Sequence, residues 1–499
     1  MYIKMNKGDV IMNKYSIGGG QNTRKINPLF KDIKEYNKYL LSLIGIFVLL
    51  LSGIISYNYT NTSYAKWSSS VESKNIIKLH AKSNLDESGA NEPKITSNMI
   101  PVYYDETNSV WRKADVKNSK EQYKWYDYNN KMWANAVTVS ETNRQTYLSA
   151  KTGTTIPMSD INTMWVWVPR YTYTYLNTNT PQEINVKFES GTASTGTIKC
   201  TDNVAGTSST SETCTDTTNN GLVAGTSTYT HPAFWWDKND NNVREENEEL
   251  TGIWVGKFEI SSGQIIKPNV TSLRSQTVNQ LYTGIYNMRN SGNAFGFSTT
   301  DETHMMKNME WGAVTYLSHS KYGINKEIAI NSANTYTTGC GPQSEGSTSY
   351  GATCNSYTTA LGQSASTTGN ISGVYDMSGG AFEYVMGNMV NSSGAFYLSS
   401  SGFSSTPNAK YYDKYSYGTS STEYTRGKLG DATKEMAPVS SSNTSWYSDY
   451  AGFPSSSLPW FFRGGHYGAG ASAGAFIFYC SAGGAYSYRS SRAVLGVLD

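Results

Sequence analysis

The chain has 499 residues, of which 16% are charged, with 45 Gly, 38 Tyr and a formal net charge of +2. Eight Lys/Arg against three Asp/Glu lie in residues 1–38, leaving a net −3 beyond them, so no basic face argues for nucleic acid. Low charge with abundant Gly, Ser, Thr and Asn indicates a strand- and loop-rich protein outside the cell, long enough for two or three domains.

Residues 39–57, YLLSLIGIFVLLLSGIISY, hold no charge and follow Lys31, Lys34 and Lys38. A run of that length spans a bilayer core and its positive flank stays inside, so we expect a basic cytoplasmic segment at 1–38, a single transmembrane anchor at 39–57 and an extracellular remainder. The competing reading is a signal peptide cleaved near Ser63-Tyr64-Ala65. A long charged region before the apolar run and a site far past it favour the uncleaved anchor; either way the C-terminal region is exported.

Residues 58–95 are polar and aperiodic and read as a stalk. From 96 to 160 the text turns aromatic, with short strands joined by Asp/Asn turns, forming either a small β-rich module or the opening strands of the main domain at 161–499. Within that domain MWVWVPRYTYTY (164–175) and GIWVGKFEI (252–260) read as strands. Helices are expected at 277–289 and at 305–321, the second with Met309, Ala313, Tyr316 and Leu317 on one face and Gly323 as its C-cap. Gly/Ser/Thr-rich insertions at 189–230 and 332–370 each carry two cysteines 14 apart, Cys200 with Cys214 and Cys340 with Cys354. Two loop-closing disulfides are the simplest inference, because such loops bury too little apolar surface to order themselves; Cys480 is left odd. The order of elements fits an α+β fold rather than a parallel α/β sheet.

Asp237, Asn239, Asn241 and Glu248 stand at positions 1, 3, 5 and 12 of a calcium-loop spacing. Asn242 occupies the glycine position and no helices flank the loop, so Ca²⁺ competes with a solvated acidic turn. The five histidines show no metal-type spacing, and His304 and His319 are read as packing residues.

Three segments then combine. NMEWGAVTYLSHSKYG (308–323), GVYDMSGGAFEYVMG (373–387) and the bracket RGG…SSRAVL (463–495) resemble, in order, motifs of the formylglycine-generating-enzyme (sulfatase-modifying factor) family. The resemblance covers about 190 residues and implies a C-type-lectin-like fold. It also implies that Asp376 satisfies loop amides and Glu383 joins an internal polar network, against a reading of the two as an acid–base pair. The family's oxidases use a cysteine pair shortly after RGG; Ala469 and Gly474 stand there, and thiolate chemistry needs the thiol.

A branch of the same fold, the variable proteins of diversity-generating retroelements, keeps the brackets and varies what lies between them by rewriting adenines of Asn codons. This chain holds 43 Asn in its first 443 residues and none in the last 56, against roughly five expected at that frequency. His466, Tyr467, Ala469, Ser472, Ile477, Tyr479, Cys480, Tyr486, Ser487 and Tyr488 are the expected ligand-binding positions on a framework of Gly464, Gly465, Ala473, Gly474, Phe476 and Arg492. Ser491 departs from the Phe usual before that Arg. Tyr with Ser and Gly is also the vocabulary of antibody paratopes; the bland alternative is a packed hairpin that excludes Asn. The resemblance implies a non-enzymatic, membrane-anchored, adhesin-like protein that binds a protein or glycan on another cell or a phage, without cofactor unless Ca²⁺. A divergent enzyme of the family and a structural cell-surface component are the alternatives.

Overall fold

The computed structural model describes residues 84–96, 98–239, 245–438 and 443–497, together with the backbone of a two-stranded antiparallel pair, Tyr64–Trp67 and Leu79–Lys82. The proposed anchor at 39–57 and the segment before it lie outside the described residues. Among the described residues no helix is long and apolar enough to cross a membrane. The chain divides into two compact units, Met1–Lys82 and Ser83–Asp499, and all that follows concerns the second.

Twelve strands form its two larger sheets. They are β1 (Ile100–Asp105), β2 (Val110–Lys113), β3 (Asn135–Val139), β4 (Ile161–Pro169), β5 (Gly252–Gly256) and β6 (Glu302–Met305). They continue as β7 (Phe382–Met389), β8 (Asp413–Tyr415), β9 (Trp460–Arg463), β10 (Phe478–Ser481), β11 (Arg489–Ser491) and β12 (Ala493–Gly496). The seven-stranded sheet runs β6-β12-β5-β4-β3-β1-β2 and is antiparallel throughout. Strands β1 to β3 share this sheet with β4, so the 96–160 stretch supplies its opening strands. The five-stranded sheet runs β8-β7-β9-β10, with β11 parallel to the first half of β7. Helices are few: α1 (Glu141–Ser149), α2 (Val278–Tyr286), α3 (Asn308–Ser318) and α4 (Ala360–Ser364). The domain is therefore mixed α+β and mostly sheet.

Local differences from the sequence reading have physical reasons. The expected strand at 164–175 is two strands, because Pro169 offers no N–H to a ladder and Arg170 turns fully inward, where its guanidinium pairs with Glu189 at 2.8 Å and Glu249 at 2.5 Å. Tyr171–Thr174 then joins a separate three-stranded sheet with Val186–Phe188 and Thr228–Thr230. The strand at 252 ends at Gly256; the Lys257 amide still donates to the Met164 carbonyl at 2.9 Å, and its ammonium donates to the Ile371 and Gly373 carbonyls at 2.7 and 2.8 Å. Helix α2 begins where expected, with Thr277 and Gln280 forming a capping box. Helix α3 starts later and ends earlier than expected: Met305 belongs to β6, and His319 caps the helix. All eleven of its residues are buried, so it has no solvent face. Gly323 lies past the helix, where a side chain would collide with the Ser318 carbonyl.

Residues 84–95, expected as part of the stalk, pack on the domain instead. Asp86 accepts the Tyr128 amide at 3.0 Å, and Asn91 donates to the Thr251 carbonyl at 2.9 Å. Both disulfides form, Cys200–Cys214 across a hairpin and Cys340–Cys354 across a loop.

Candidate binding surface

The bracket around the tail is structural. After β9, Gly464 and Gly465 have φ of 81° and 70°, and a side chain on Gly465 would overlap Ala473, so the turn requires glycine. Arg463 is fully buried and donates to Asn308 Oδ1 at 3.1 Å and to the Asp431 and Ala432 carbonyls at 3.2 and 3.3 Å. At the other end Arg492 forms a buried two-point ion pair with Glu383 and donates to the Gly256 carbonyl at 2.8 Å. Each arginine ties one end of the tail to a different element, which holds the intervening loops in register.

The floor under the tail is the 376–382 turn. Asp376 accepts the Gly339 amide at 2.9 Å and Asn331 Nδ2 at 2.8 Å, and Glu259 accepts the Ala381 amide at 3.0 Å. Burial raises Asp376 and Glu259 above the usual carboxylate range, and it pushes Glu383 up to about 7 despite Arg492. Gly380, with φ 68°, passes so close to Glu259 that a Cβ would lie 2.7 Å from its carboxylate. Three backbone bonds then seat the tail on this turn: Gly379 N to Gly464 O at 2.8 Å, Tyr467 N to Gly380 O and Phe382 N to Tyr488 O, both at 3.0 Å.

On that floor stands a continuous aromatic surface. Tyr467 meets Tyr336 at 4.8 Å and Tyr350 at 5.3 Å between ring centroids, and His466 meets Phe382 at 4.8 Å and Tyr488 at 6.2 Å. Tyr488 packs on Tyr486 at 5.7 Å. Phe382 and Phe462, 4.6 Å apart, link this group to Tyr479 and Tyr450, which meet at 4.8 Å. Tyr350 and Tyr450 are 59% and 40% exposed. Arg274 lies over the Tyr336 ring at 3.9 Å and donates to the Ser487 carbonyl. Arg489 is sandwiched between Tyr486 at 4.2 Å and Phe462 at 4.3 Å. Partial burial and the Tyr467 hydroxyl push the Tyr336 hydroxyl up to about 12, while burial lowers His466. Both rings are therefore neutral at pH 7.

The ten tail positions separate into two sets. His466, Tyr467, Ala469, Tyr479, Tyr486 and Tyr488 are partly exposed, and Ser472 and Ser487 are exposed. Ile477 and Cys480 are each 3% exposed and belong to the core, which corrects their reading as contacts. Strand alternation explains Cys480: Tyr479 faces out of β10, so its neighbour faces in, and burial pushes the thiol up to about 11. Sequence reasoning missed Arg274, Tyr336, Tyr350, Phe382 and Tyr450. Four lie in separate loops and Phe382 opens β7, and only the fold gathers them.

The position of the family's second thiol is closed. A side chain on Gly474 would overlap the Asp449 carboxylate, which accepts the Phe476 amide at 2.9 Å. At the calcium spacing, Glu248 uses its oxygens on Trp235 Nε1 at 3.1 Å and Lys238 N at 2.8 Å, and Asn241 lies outside the described residues. Among the described residues the one group of three or more His, Cys, Asp or Glu side chains with ligand atoms close together is Cys200, Glu212 and Cys214, and its sulfurs are spent in a disulfide. His304 bonds Glu310 at 2.9 Å, and His319 bonds Ser318 at 2.9 Å, with burial pushing His319 down to about 3. No protein-family profile matches the chain, and no curated protein matches it.

Proposed function

We propose that this is a surface-displayed binding protein of C-type-lectin-like fold, anchored through residues 39–57 with residues 1–38 inside, whose aromatic surface engages a protein or glycan on another cell or a phage. The observation that carries the reading is the continuous surface of Tyr336, Tyr350, Phe382, His466, Tyr467, Tyr486 and Tyr488. Rigid rings give large contact area at small entropic cost, and partly exposed aromatic groups rimmed by Ser and Gly are what interfaces favour. The reading of the tail as exchangeable is supported by the separation of roles. The groups that fix the backbone, Arg463, Arg492, Glu383 and Asp376, are buried, while the side chains of His466, Tyr467, Tyr486 and Tyr488 are partly exposed. The oxidase reading is disfavoured because Asp449 occupies the space a Gly474 side chain would need.

Sequencing the gene across sister isolates tests the proposal. Differences should concentrate at 466–488, spare Ile477 and Cys480 more than the exposed positions, and coincide with adenines of a nearby template copy. Differences scattered evenly over the chain would sink the exchangeable-tail reading. A Tyr467→Ala/Tyr488→Ala double variant should abolish binding to target cells while keeping its melting temperature.

A further inference from the structure

Away from the aromatic surface, a cleft of about 490 Å³ opens between the Cys200–Cys214 hairpin and the loops before α3 and around β8. Its size falls in the range of small-molecule sites. Trp235, partly exposed, lines it, as does Tyr412, which is 7% exposed with the Lys414 ammonium 5.8 Å from its ring centroid. Both rings are fixed, Trp235 by donating Nε1 to Glu248 at 3.1 Å and Tyr412 by packing on Phe396 at 4.9 Å. The cleft is also charged. Lys428 is committed to Asp202 at 2.8 Å and Lys410 to Glu302 at 2.9 Å. Lys307 is different: its ammonium lies 3.9 Å from Glu310, too far for a hydrogen bond, and that Glu310 oxygen already accepts from His304 at 2.9 Å. Lys307 is 5% exposed, and Glu310 and Asp413 both act on its charge, so the ammonium at the cleft wall is charge-balanced but short of hydrogen-bond partners. Across from it Asp413 spends one oxygen on the Met309 amide at 2.7 Å.

Fixed ring faces suit the C–H faces of a pyranose, and a mostly buried ammonium suits a single anionic substituent. The geometry points to a second ligand site in this cleft for a short saccharide bearing a carboxylate, with Trp235 and Tyr412 against the sugar ring and Lys307 neutralising the carboxylate. Nothing in this inference depends on the aromatic surface of the tail, since the two share no residue.

Titration calorimetry of the exported domain with N-acetylneuraminic acid and D-glucuronic acid tests it. At least one of the two should bind saturably with Kd on the order of 1 mM, and D-glucose should bind about ten-fold more weakly. Lys307→Met and Trp235→Leu should each weaken the acidic sugar about ten-fold, while Tyr467→Ala leaves it unchanged. Trp235 is only half-buried, so its variant serves if Lys307→Met fails to fold. Absence of saturable binding by both acids, sodium acetate binding as tightly as the sugars, or unchanged affinity in folded Trp235→Leu would overturn the inference.

Discussion

Buried carboxylates at this density set how stability depends on pH. Glu435 accepts from the Tyr173 and Tyr316 hydroxyls at 3.0 and 2.7 Å and from the Gly430 amide at 2.6 Å, yet burial pushes it up to about 7, as it does Glu383. An unfolded glutamate has released its proton by roughly pH 5, whereas these two keep theirs, so stability falls as pH rises from about 4.3 through 7. His319 works the other way, because its folded value near 3 leaves it neutral where an unfolded histidine charges below about 6.5. Thermal melts should therefore show a higher melting temperature at about pH 6.5 than at pH 8, and a loss below about pH 5. Glu435→Gln should flatten the alkaline side; an unchanged slope would contradict this assignment. A second residue prediction concerns the closed thiol position. Gly474→Ala should cost about 1–3 kcal/mol in chemical unfolding, because Asp449 must move from its bond with Phe476.

Strand β10 shows what the sequence made legible and what it did not. The helix at α2 and both disulfide pairings follow from local pattern and spacing, and the structure contains each. Ile477 and Cys480 were misplaced because an Asn-free composition does not say which side chains face out: alternation in β10 turns Cys480 inward, and Ile477, just before the strand, is buried in the core. Tyr336, Tyr350 and Tyr450 were invisible for another reason: nothing local distinguishes a surface tyrosine from one recruited to a patch by a loop 130 residues away. The two classes should separate by substitution. Tyr486→Ala and Tyr488→Ala should change stability by less than about 1 kcal/mol. Cys480→Tyr, placed against Phe461 in the core, should cost about 1–3 kcal/mol or more by overpacking. Denaturant midpoints of the four proteins check this, and equal tolerance at 480 and 488 would refute the division.

For the domain as a whole, two sheets and few helices leave long loops that need independent restraint. The Cys340–Cys354 bond closes a loop beside Tyr336 and Tyr350, so it stabilises part of the aromatic surface directly. Cys340→Ser/Cys354→Ser should cost about 3 kcal/mol by loop entropy and weaken target binding, whereas EDTA should leave the melting temperature unchanged. Thermal melts of the variant and of the native chain with and without EDTA read the stability outcomes, and target-cell binding reads the other.

The position of β12 has a consequence for biogenesis. It lies inside the seven-stranded sheet, with β5 on one side and β6 on the other, although it follows every other described strand in the chain. A ribosome that stalls before Ala493 releases a chain whose β5 and β6 edges stay open, which exposes it to proteases and edge-to-edge association. Truncations that remove β12 would thus be cleared by proteolysis rather than accumulate.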